Sequence, residues 1–176
     1  MLGTVEQMAS GVKDRARADA KRILRTAWQV DPKVPLPVDP VRIANRLGIE
    51  VFDESLDDDI SGAIVKNSGR DPVILLNAAD SQNRKRFTCA HEIGHFVERP
   101  QEEQYEFVDL RGALASEGVD PHEIYANEFA ACLLMPEDEV RAMKKSGDIP
   151  AQMAAKFRVS SDAMTYRLKN LDLLFG

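Results

Sequence analysis

Cysteine is scarce in this sequence: Cys89 and Cys132 are the only two among 176 residues. Two cysteines cannot build the disulfide framework on which small secreted domains depend, so we expect a reducing, cytoplasmic compartment. No apolar run approaches the roughly 20 residues that a membrane-spanning helix needs. Residues 1–10 also lack the apolar core of a signal peptide. These absences exclude a disulfide-stapled secreted protein and predict no membrane partner.

Glycine, proline and aromatic residues are also too few to mark a special class of chain, with ten glycines, nine prolines and 6% aromatics. A collagen-like, low-complexity or wholly disordered protein is therefore excluded. Hydrophobic residues make up 44% of the chain and charged residues 30%, which are ordinary values for a globular protein. The length predicts one domain, or one domain with a small appendage.

The net charge of −6 is unevenly distributed along the chain. Residues 97–140 carry twelve acidic but only two basic residues, a net charge of −10, whereas residues 141–176 carry seven basic and three acidic residues, a net charge of +4. Such runs most often form a solvated face. The acidic run is alternatively a surface that attracts a basic protein, and the basic tail a surface that contacts phosphate.

Hydrophobic periodicity and capping residues predict an α+β fold. We expect a small, mostly antiparallel three-stranded sheet packed with helices, a helix-borne zinc motif of the zincin type, and a helical C-terminal tail. The predicted helices span residues 5–28, 40–47, 82–97 and 121–135, and the predicted strands span residues 49–52, 60–65 and 73–76. The domain division is an N-terminal amphipathic helix (1–30), a core (31–140) and a tail (141–176).

The chemistry-bearing motif is His91-Glu92-Ile93-Gly94-His95 within a predicted helix. The two imidazoles lie about 40° apart on one helix face, close enough to bind one Zn²⁺. Glu92 lies beside that face, where it suits a general base for a water molecule activated by the metal. Gly94 is a poor helix former, so we expect another element to pack closely against it.

A third zinc ligand is expected on the helix that starts at Pro121. On its helical wheel Glu123 shares a face with small alanines, whereas Glu128 points about 140° away. Glu123 is the better candidate, Glu128 the reserve and His122 a further possibility. A capping box starting at Asp120 is a competing role for Glu123, which would then bind the start of its own helix.

Several segments together resemble the ImmA/IrrE-type zinc metallopeptidases. Two of them are Asp59-Ile60-Ser61-Gly62-Ala63 and the hairpin that leads to Ile74-Leu75-Leu76-Asn77. The two most specific are Arg86-Phe87-Thr88-Cys89-Ala90-His91-Glu92-Ile93-Gly94-His95-Phe96 and Glu123-Ile124-Tyr125-Ala126-Asn127-Glu128-Phe129-Ala130-Ala131-Cys132-Leu133-Leu134-Met135-Pro136. The resemblance covers roughly residues 39–140. It implies Zn²⁺ as cofactor, His91, His95 and Glu123 as metal ligands, and Glu92 as general base.

The same resemblance implies a function and a partner. Family members typically cleave helix-turn-helix transcriptional repressors and thereby switch on stress, mobile-element or prophage genes. The expected partner is therefore a protein substrate. An added β-strand at the sheet edge near residues 60–76 is one way to bind it. The alternative is a DNA-associated regulator in which the zinc site is structural or the peptidase is latent.

The sequence leaves open the role of the C-terminal tail and the identity of the residue that binds the oxyanion. Residues 151–171 read as a helix, a short turn and a basic helix, which resembles a helix-turn-helix unit, but a hairpin packed on the core is favoured over direct DNA binding. A peptidase needs a donor for the transition-state oxyanion besides the metal. Tyr105, His122 and Tyr125 are equivalent candidates. Cys89 should face away from the metal, and both cysteines are expected in the core.

Overall fold

The computed structural model describes residues 2–29, 34–99, 105–110 and 120–174. It is an α+β protein whose described residues form seven helices and a four-stranded sheet. The helices are α1 (Leu2–Ala27), α2 (Pro40–Arg46), α3 (Gln82–Glu98), α4 (Pro121–Leu134), α5 (Glu137–Lys145), α6 (Pro150–Phe157) and α7 (Ser161–Asn170). The strands are β1 (Glu50–Glu54), β2 (Ile60–Lys66), β3 (Val73–Asn77) and β4 (Tyr105–Leu110).

Capping side chains fix the starts of the helices that carry the predicted site. Ser81 Oγ accepts a hydrogen bond from the Arg84 amide at the start of α3. Asp120 Oδ1 accepts one from the His122 amide at the start of α4, and Pro121 occupies the first helical position. Each cap satisfies an amide that the first helical turn leaves without an intrahelical partner. The helix starts predicted at Ser81 and Asp120 are therefore confirmed.

The sheet corrects the prediction of three mostly antiparallel strands, because it has four strands in the order β1–β3–β2–β4. β2 is antiparallel to β3 and β4, whereas β1 is parallel to β3. The strand missed was β4, which lies within the acidic run and pairs with a segment about 40 to 50 residues earlier. Its period-two signal is short, with Tyr105 and Phe107 on either side of exposed Glu106.

Helix α3 packs on one side against the sheet and on the other against α4. At Gly62 in β2, an added Cβ would lie 2.5 Å from Thr88 Cγ2, so α3 approaches the sheet too closely for any side chain there. At Gly94 in α3, an added Cβ would lie 3.0 Å from Ala126 Cα. The close approach expected at Gly94 is confirmed, and it brings α3 and α4 into backbone contact.

Helix α1 lies against α4, where its small and aliphatic residues enter the core. The fully or nearly fully buried residues of α1 are Ala16, Ala20, Ile23, Leu24 and Ala27. Their spacing of three and four residues is that of a helix with one apolar face. None of the helices in the described residues is both long and apolar enough to span a membrane.

The C-terminal helices are tied to α3 and α4 by polar side chains. Asn83 donates a hydrogen bond to the Val159 carbonyl oxygen, and Arg86 donates to that of Phe157. Arg167 of α7 is buried and donates to the carbonyl oxygen of Met135. The division of the chain at residues 30 and 140 stays a prediction. Part of the acidic run, residues 100–104 and 111–119, lies outside the described residues.

Candidate metal centre

Three predicted ligand residues meet at the contact between α3 and α4. His91 Nε2 lies 3.0 Å from His95 Nε2, because the two residues are one helical turn apart. The carboxylate of Glu123 faces both rings, with Oε2 3.4 Å from His91 Nε2 and Oε1 3.3 Å from His95 Nε2. Both histidines are buried, and Glu123 is partly exposed. The arrangement is a group of three donor atoms at the edge of the core.

The spacing of these atoms fits a tetrahedral zinc ion. Ligand bonds of about 2.0–2.1 Å at tetrahedral angles place neighbouring donor atoms about 3.3–3.4 Å apart. The Nε2 atoms lie 3.0 Å apart, and each lies 3.3–3.4 Å from one of the two Glu123 oxygens, close to that value. With one atom taken from each residue, all three lie within 4.8 Å of one another. Two imidazole nitrogens and one carboxylate also leave a fourth position for water or substrate, as catalytic zinc sites do. The residues present therefore fit the metal.

The electrostatics of the three groups favour the charge states that a cation requires. Burial lowers the pKa of His95, so its imidazole is neutral. The facing side chains of His91 and His95 hold the pKa of the Glu123 carboxyl well below its usual range. A carboxylate and neutral imidazoles are the protonation states in which these side chains bind zinc.

Glu92, the predicted general base, directly follows His91 on α3 and is fully buried. A carboxylate is expensive to bury in an apolar core, which makes its burial beside two histidines informative. Its burial shows that Glu92 is not a surface residue, and its position next to His91 on the helix is the one that the motif predicts for the general base. The assignment of a catalytic role to Glu92 remains a prediction.

Aromatic and amide side chains line the two histidines. The Phe107 ring of β4 stacks on the His95 ring, with centroids 4.6 Å apart and planes 6° apart. The Arg99 guanidinium lies over the Phe107 ring, 4.3 Å from its centroid. On α4, Asn127 Oδ1 lies 3.0 Å from His91 Nδ1. Sequence reasoning missed both Phe107 and Asn127 as neighbours of the site, although the helical wheel placed Asn127 beside Glu123.

The reserve candidates for the third ligand have other contacts. Glu128 is buried on the opposite side of α4, where its Oε1 accepts a hydrogen bond from Arg17 Nε at 2.7 Å. His122 Nδ1 lies 2.9 Å from Glu98 Oε2. The Glu123 carboxylate lies against the histidines, and the Asp120 cap is made without it. The geometry thus brings Glu123, and not Glu128, to His91 and His95.

The three candidates for oxyanion binding have different surroundings. Tyr125 faces α1, where its hydroxyl donates a hydrogen bond to Asp19 Oδ2 at 2.7 Å, so it is not brought to the histidines. Tyr105 lies 5.4 Å from the Phe107 ring, and His122 is adjacent to Glu123 in sequence. Both predicted core cysteines, Cys89 and Cys132, are buried free thiols.

The chain is similar to two curated proteins over part of its length. It is 34% identical over 101 residues to the radiation response metalloprotease IrrE of Deinococcus radiodurans, a match covering 54% of this chain and 30% of that protein. It is 31% identical over 107 residues to the uncharacterized immunity region protein 2 of Bacillus phage phi105, covering 61% of this chain and 65% of that protein. The chain spans less than two thirds of the length of either relative.

The fold also occurs in a solved structure, a Mycobacterium tuberculosis transcriptional regulator. The two chains superpose with a TM-score of 0.62 at 16% identity, and the match covers 94% of this chain and 51% of the other. At that identity the likeness concerns the fold alone. A model of the M78 peptidase family, described as the IrrE N-terminal-like domain, matches residues 44–169, which include α3 and α4. The chain therefore belongs to the ImmA/IrrE-type (M78) peptidase family.

Proposed function

We propose that this protein is a zinc-dependent endopeptidase that cleaves a regulatory protein in the cytoplasm. The observation that carries the proposal is the convergence of His91, His95 and Glu123, whose donor atoms lie 3.0–3.4 Å apart on two helices in contact. Membership of a peptidase family and the similarity to a named metalloprotease support it. His91, His95 and Glu123 hold the metal, within the core assigned to residues 31–140.

Zinc held by His91, His95 and Glu123 would lower the pKa of a water molecule towards 7 and would polarise the scissile carbonyl. Glu92 accepts a proton from the attacking water as the new carbon–oxygen bond forms. Glu92 then delivers that proton to the amine nitrogen as the carbon–nitrogen bond breaks, so that the carboxylate is regenerated. The burial of Glu92 and of both histidines excludes bulk water from this proton transfer.

A helix-turn-helix transcriptional repressor is the proposed substrate, and its cleavage would switch on stress, mobile-element or prophage genes. The names of the two relatives, a radiation response protein and a phage immunity region protein, support a regulatory target. The Arg167 side chain of the tail is buried within the protein, which favours a packed tail over a DNA-reading one. The runner-up is a DNA-associated regulator whose zinc site is structural.

Substrate binding by strand addition needs a different edge from the one expected near residues 60–76. That expectation was wrong, because β2 and β3 each have neighbours on both sides. Among the described strands the sheet edges are β1 and β4, and β4 is the edge whose Phe107 contacts His95. We place an extended substrate segment along β4. Tolerance of proline at every position flanking a mapped cleavage site would argue against strand addition.

The replacement Glu92→Gln separates the peptidase from the runner-up. Co-expression with candidate helix-turn-helix repressors from the same genome should give one that is cleaved by the wild type and left intact by Glu92→Gln. Zinc content should stay the same, since Glu92 is not among the ligands. Glu137→Gln, an exposed control on α5, should cleave like the wild type. Equal cleavage by Glu92→Gln would contradict the general-base role, and operator binding by the protein without any cleavage would favour the regulator.

A further inference from the structure

Asn127 lies one helical turn after Glu123 on α4, and its side chain reaches across to α3. The distance between Asn127 Oδ1 and His91 Nδ1 is 3.0 Å, which is that of a good hydrogen bond. His91 is fully buried, so bulk water does not compete for its ring nitrogen. The same helix thus contributes a candidate ligand, Glu123, and a partner for one of the other ligands.

The amide oxygen determines which nitrogen of His91 carries the proton. A carbonyl oxygen accepts but cannot donate a hydrogen bond, so Nδ1 must be the protonated nitrogen. In a neutral imidazole the other nitrogen, Nε2, then has a free lone pair. Nε2 is also the atom that lies 3.0 Å from His95 Nε2 and 3.4 Å from Glu123 Oε2. Asn127 therefore favours the tautomer of His91 that can bind a metal.

The second histidine is held in another way. Within the described part of the chain, no group lies within hydrogen-bonding distance of His95 Nδ1. The His95 ring is instead stacked on Phe107, with planes only 6° apart. Stacking fixes the plane of a ring but does not distinguish between its two tautomers. At His91, by contrast, the Asn127 oxygen favours a proton on Nδ1, while the Glu123 carboxylate lies on the Nε2 side of both rings.

We propose that Asn127 is a positioning residue for the metal centre, which fixes the ring orientation and tautomer of His91. The inference rests on the proposed function, because it assumes that His91 Nε2 is a ligand. Removal of a hydrogen-bonding partner of this kind typically lowers metal affinity by about 10- to 100-fold. The close contact of Gly94 with Ala126 sets the spacing between α3 and α4 at which this hydrogen bond forms.

Zinc affinity measured by competition with a chromogenic chelator tests the proposal without any substrate. Asn127→Leu removes the acceptor at similar volume and should weaken zinc binding by about 10- to 100-fold. Asn127→Asp retains an acceptor and should bind zinc nearly as tightly as the wild type. The control is Asn83→Leu, which removes another cross-element hydrogen bond, to Val159, away from the site. An affinity of Asn127→Leu equal to that of the wild type would overturn the proposal.

The tautomer of His91 provides a second readout, in metal-free Glu123→Ala protein, where no carboxylate faces Nε2 of the ring. Nitrogen-15 shifts of the His91 ring should show a protonated Nδ1 and an unprotonated Nε2 in Glu123→Ala, and a mixture when Asn127→Leu is added. A merely structural role for Asn127 would lower stability without changing the tautomer. A His91 protonated at Nε2 in Glu123→Ala would overturn the proposal even if the Asn127→Leu variant did not fold. Failure of the wild type to bind zinc would instead contradict the proposed function, since the tautomer is measured without metal.

Discussion

Helix α4 has two polar faces that are built from the same kinds of side chain and do different things. The site face comprises Glu123, Ala126 and Asn127, which meet α3 at the candidate metal centre. The opposite face comprises Tyr125, Glu128 and Cys132; Tyr125 and Glu128 hydrogen-bond to α1, and Cys132 lies against Glu128. Each face carries a glutamate, partly exposed Glu123 on the site face and buried Glu128 on the opposite face, and Glu123 is the one that lies against histidines.

The partners of the two glutamates explain the difference. Glu128 is surrounded by guanidinium groups, with Arg17 Nε at 2.7 Å and the buried Arg167 Nη1 at 3.9 Å. These cations join α1 and α7 to α4 and supply the positive charge that balances the Glu128 carboxylate. Glu123 instead faces two imidazoles, whose nitrogens are metal ligands when neutral. We therefore expect the two faces to respond differently to mutation.

The largest expected effect on stability is that of Glu128→Ala. It leaves the buried Arg167 without its carboxylate, and removing one partner of a buried ion pair costs about 3–5 kcal/mol. Urea unfolding of the metal-free protein should show this loss in the free energy of unfolding, whereas the zinc content of the folded protein should not change. Glu137→Ala, which breaks an exposed pair with Arg141, should cost at most about 0.5 kcal/mol.

Loss of zinc together with a small change in stability would break the comparison, because Glu128 would then belong to the site. A change in stability below about 1 kcal/mol would show that the cluster of Arg17, Glu128 and Arg167 contributes as little as an exposed pair.

Gly94→Val should lower stability less than Glu128→Ala does, but it should also lower zinc affinity. The new Cβ would lie 3.0 Å from Ala126 Cα, and overpacking of this kind typically costs about 1–3 kcal/mol. Because the clash separates α3 from α4, zinc affinity should fall along with stability. Gly11→Val is the control, since an added Cβ at Gly11 meets nothing within 4 Å. An unchanged zinc affinity in Gly94→Val would show that the spacing of the helices does not set the site.

The smallest expected effect is the absence of a reaction at Cys132, on the opposite face. Burial raises the pKa of the Cys132 thiol to about 12, so the thiolate is not formed as the pH rises through 9, where an ordinary thiol ionises. Burial also raises the pKa of Cys89. A disulfide reagent such as Ellman's should therefore react with neither thiol in the native protein between pH 7 and 9, and with both after unfolding. Fast reaction of Cys132 in the native state would indicate that α1 leaves this face.

Local signals in the sequence were sufficient for the helices of the site. Ser81 and Asp120 are capping residues whose effect lies within three residues of themselves, so the starts of α3 and α4 could be predicted. The period of the helix alone placed His91 and His95 on one face, and Glu123 away from Glu128. Gly94 predicted a close neighbour, although not that the neighbour would be Ala126.

Contacts between distant parts of the chain could not be predicted from these local signals. The parallel pairing of β1 with β3, and the addition of β4 to β2, depend on tertiary packing and not on the local pattern. The ion pair of Arg17 with Glu128 joins residues 111 positions apart, and nothing in either segment specifies it. The hydrogen bond from His91 to Asn127 requires the register between α3 and α4, which the sequence pattern leaves undetermined.

The zinc content of the purified protein tests the central claim most directly. Wild-type protein prepared without chelator should contain about one zinc per chain by atomic emission, because His91, His95 and Glu123 present three suitably spaced donor atoms. His95→Ala and Glu123→Gln should lose most of it while Glu128→Gln, where folded, retains it. A wild-type protein without zinc, or a Glu123→Gln variant that retains a full complement, would contradict the assignment of the metal centre to these three residues.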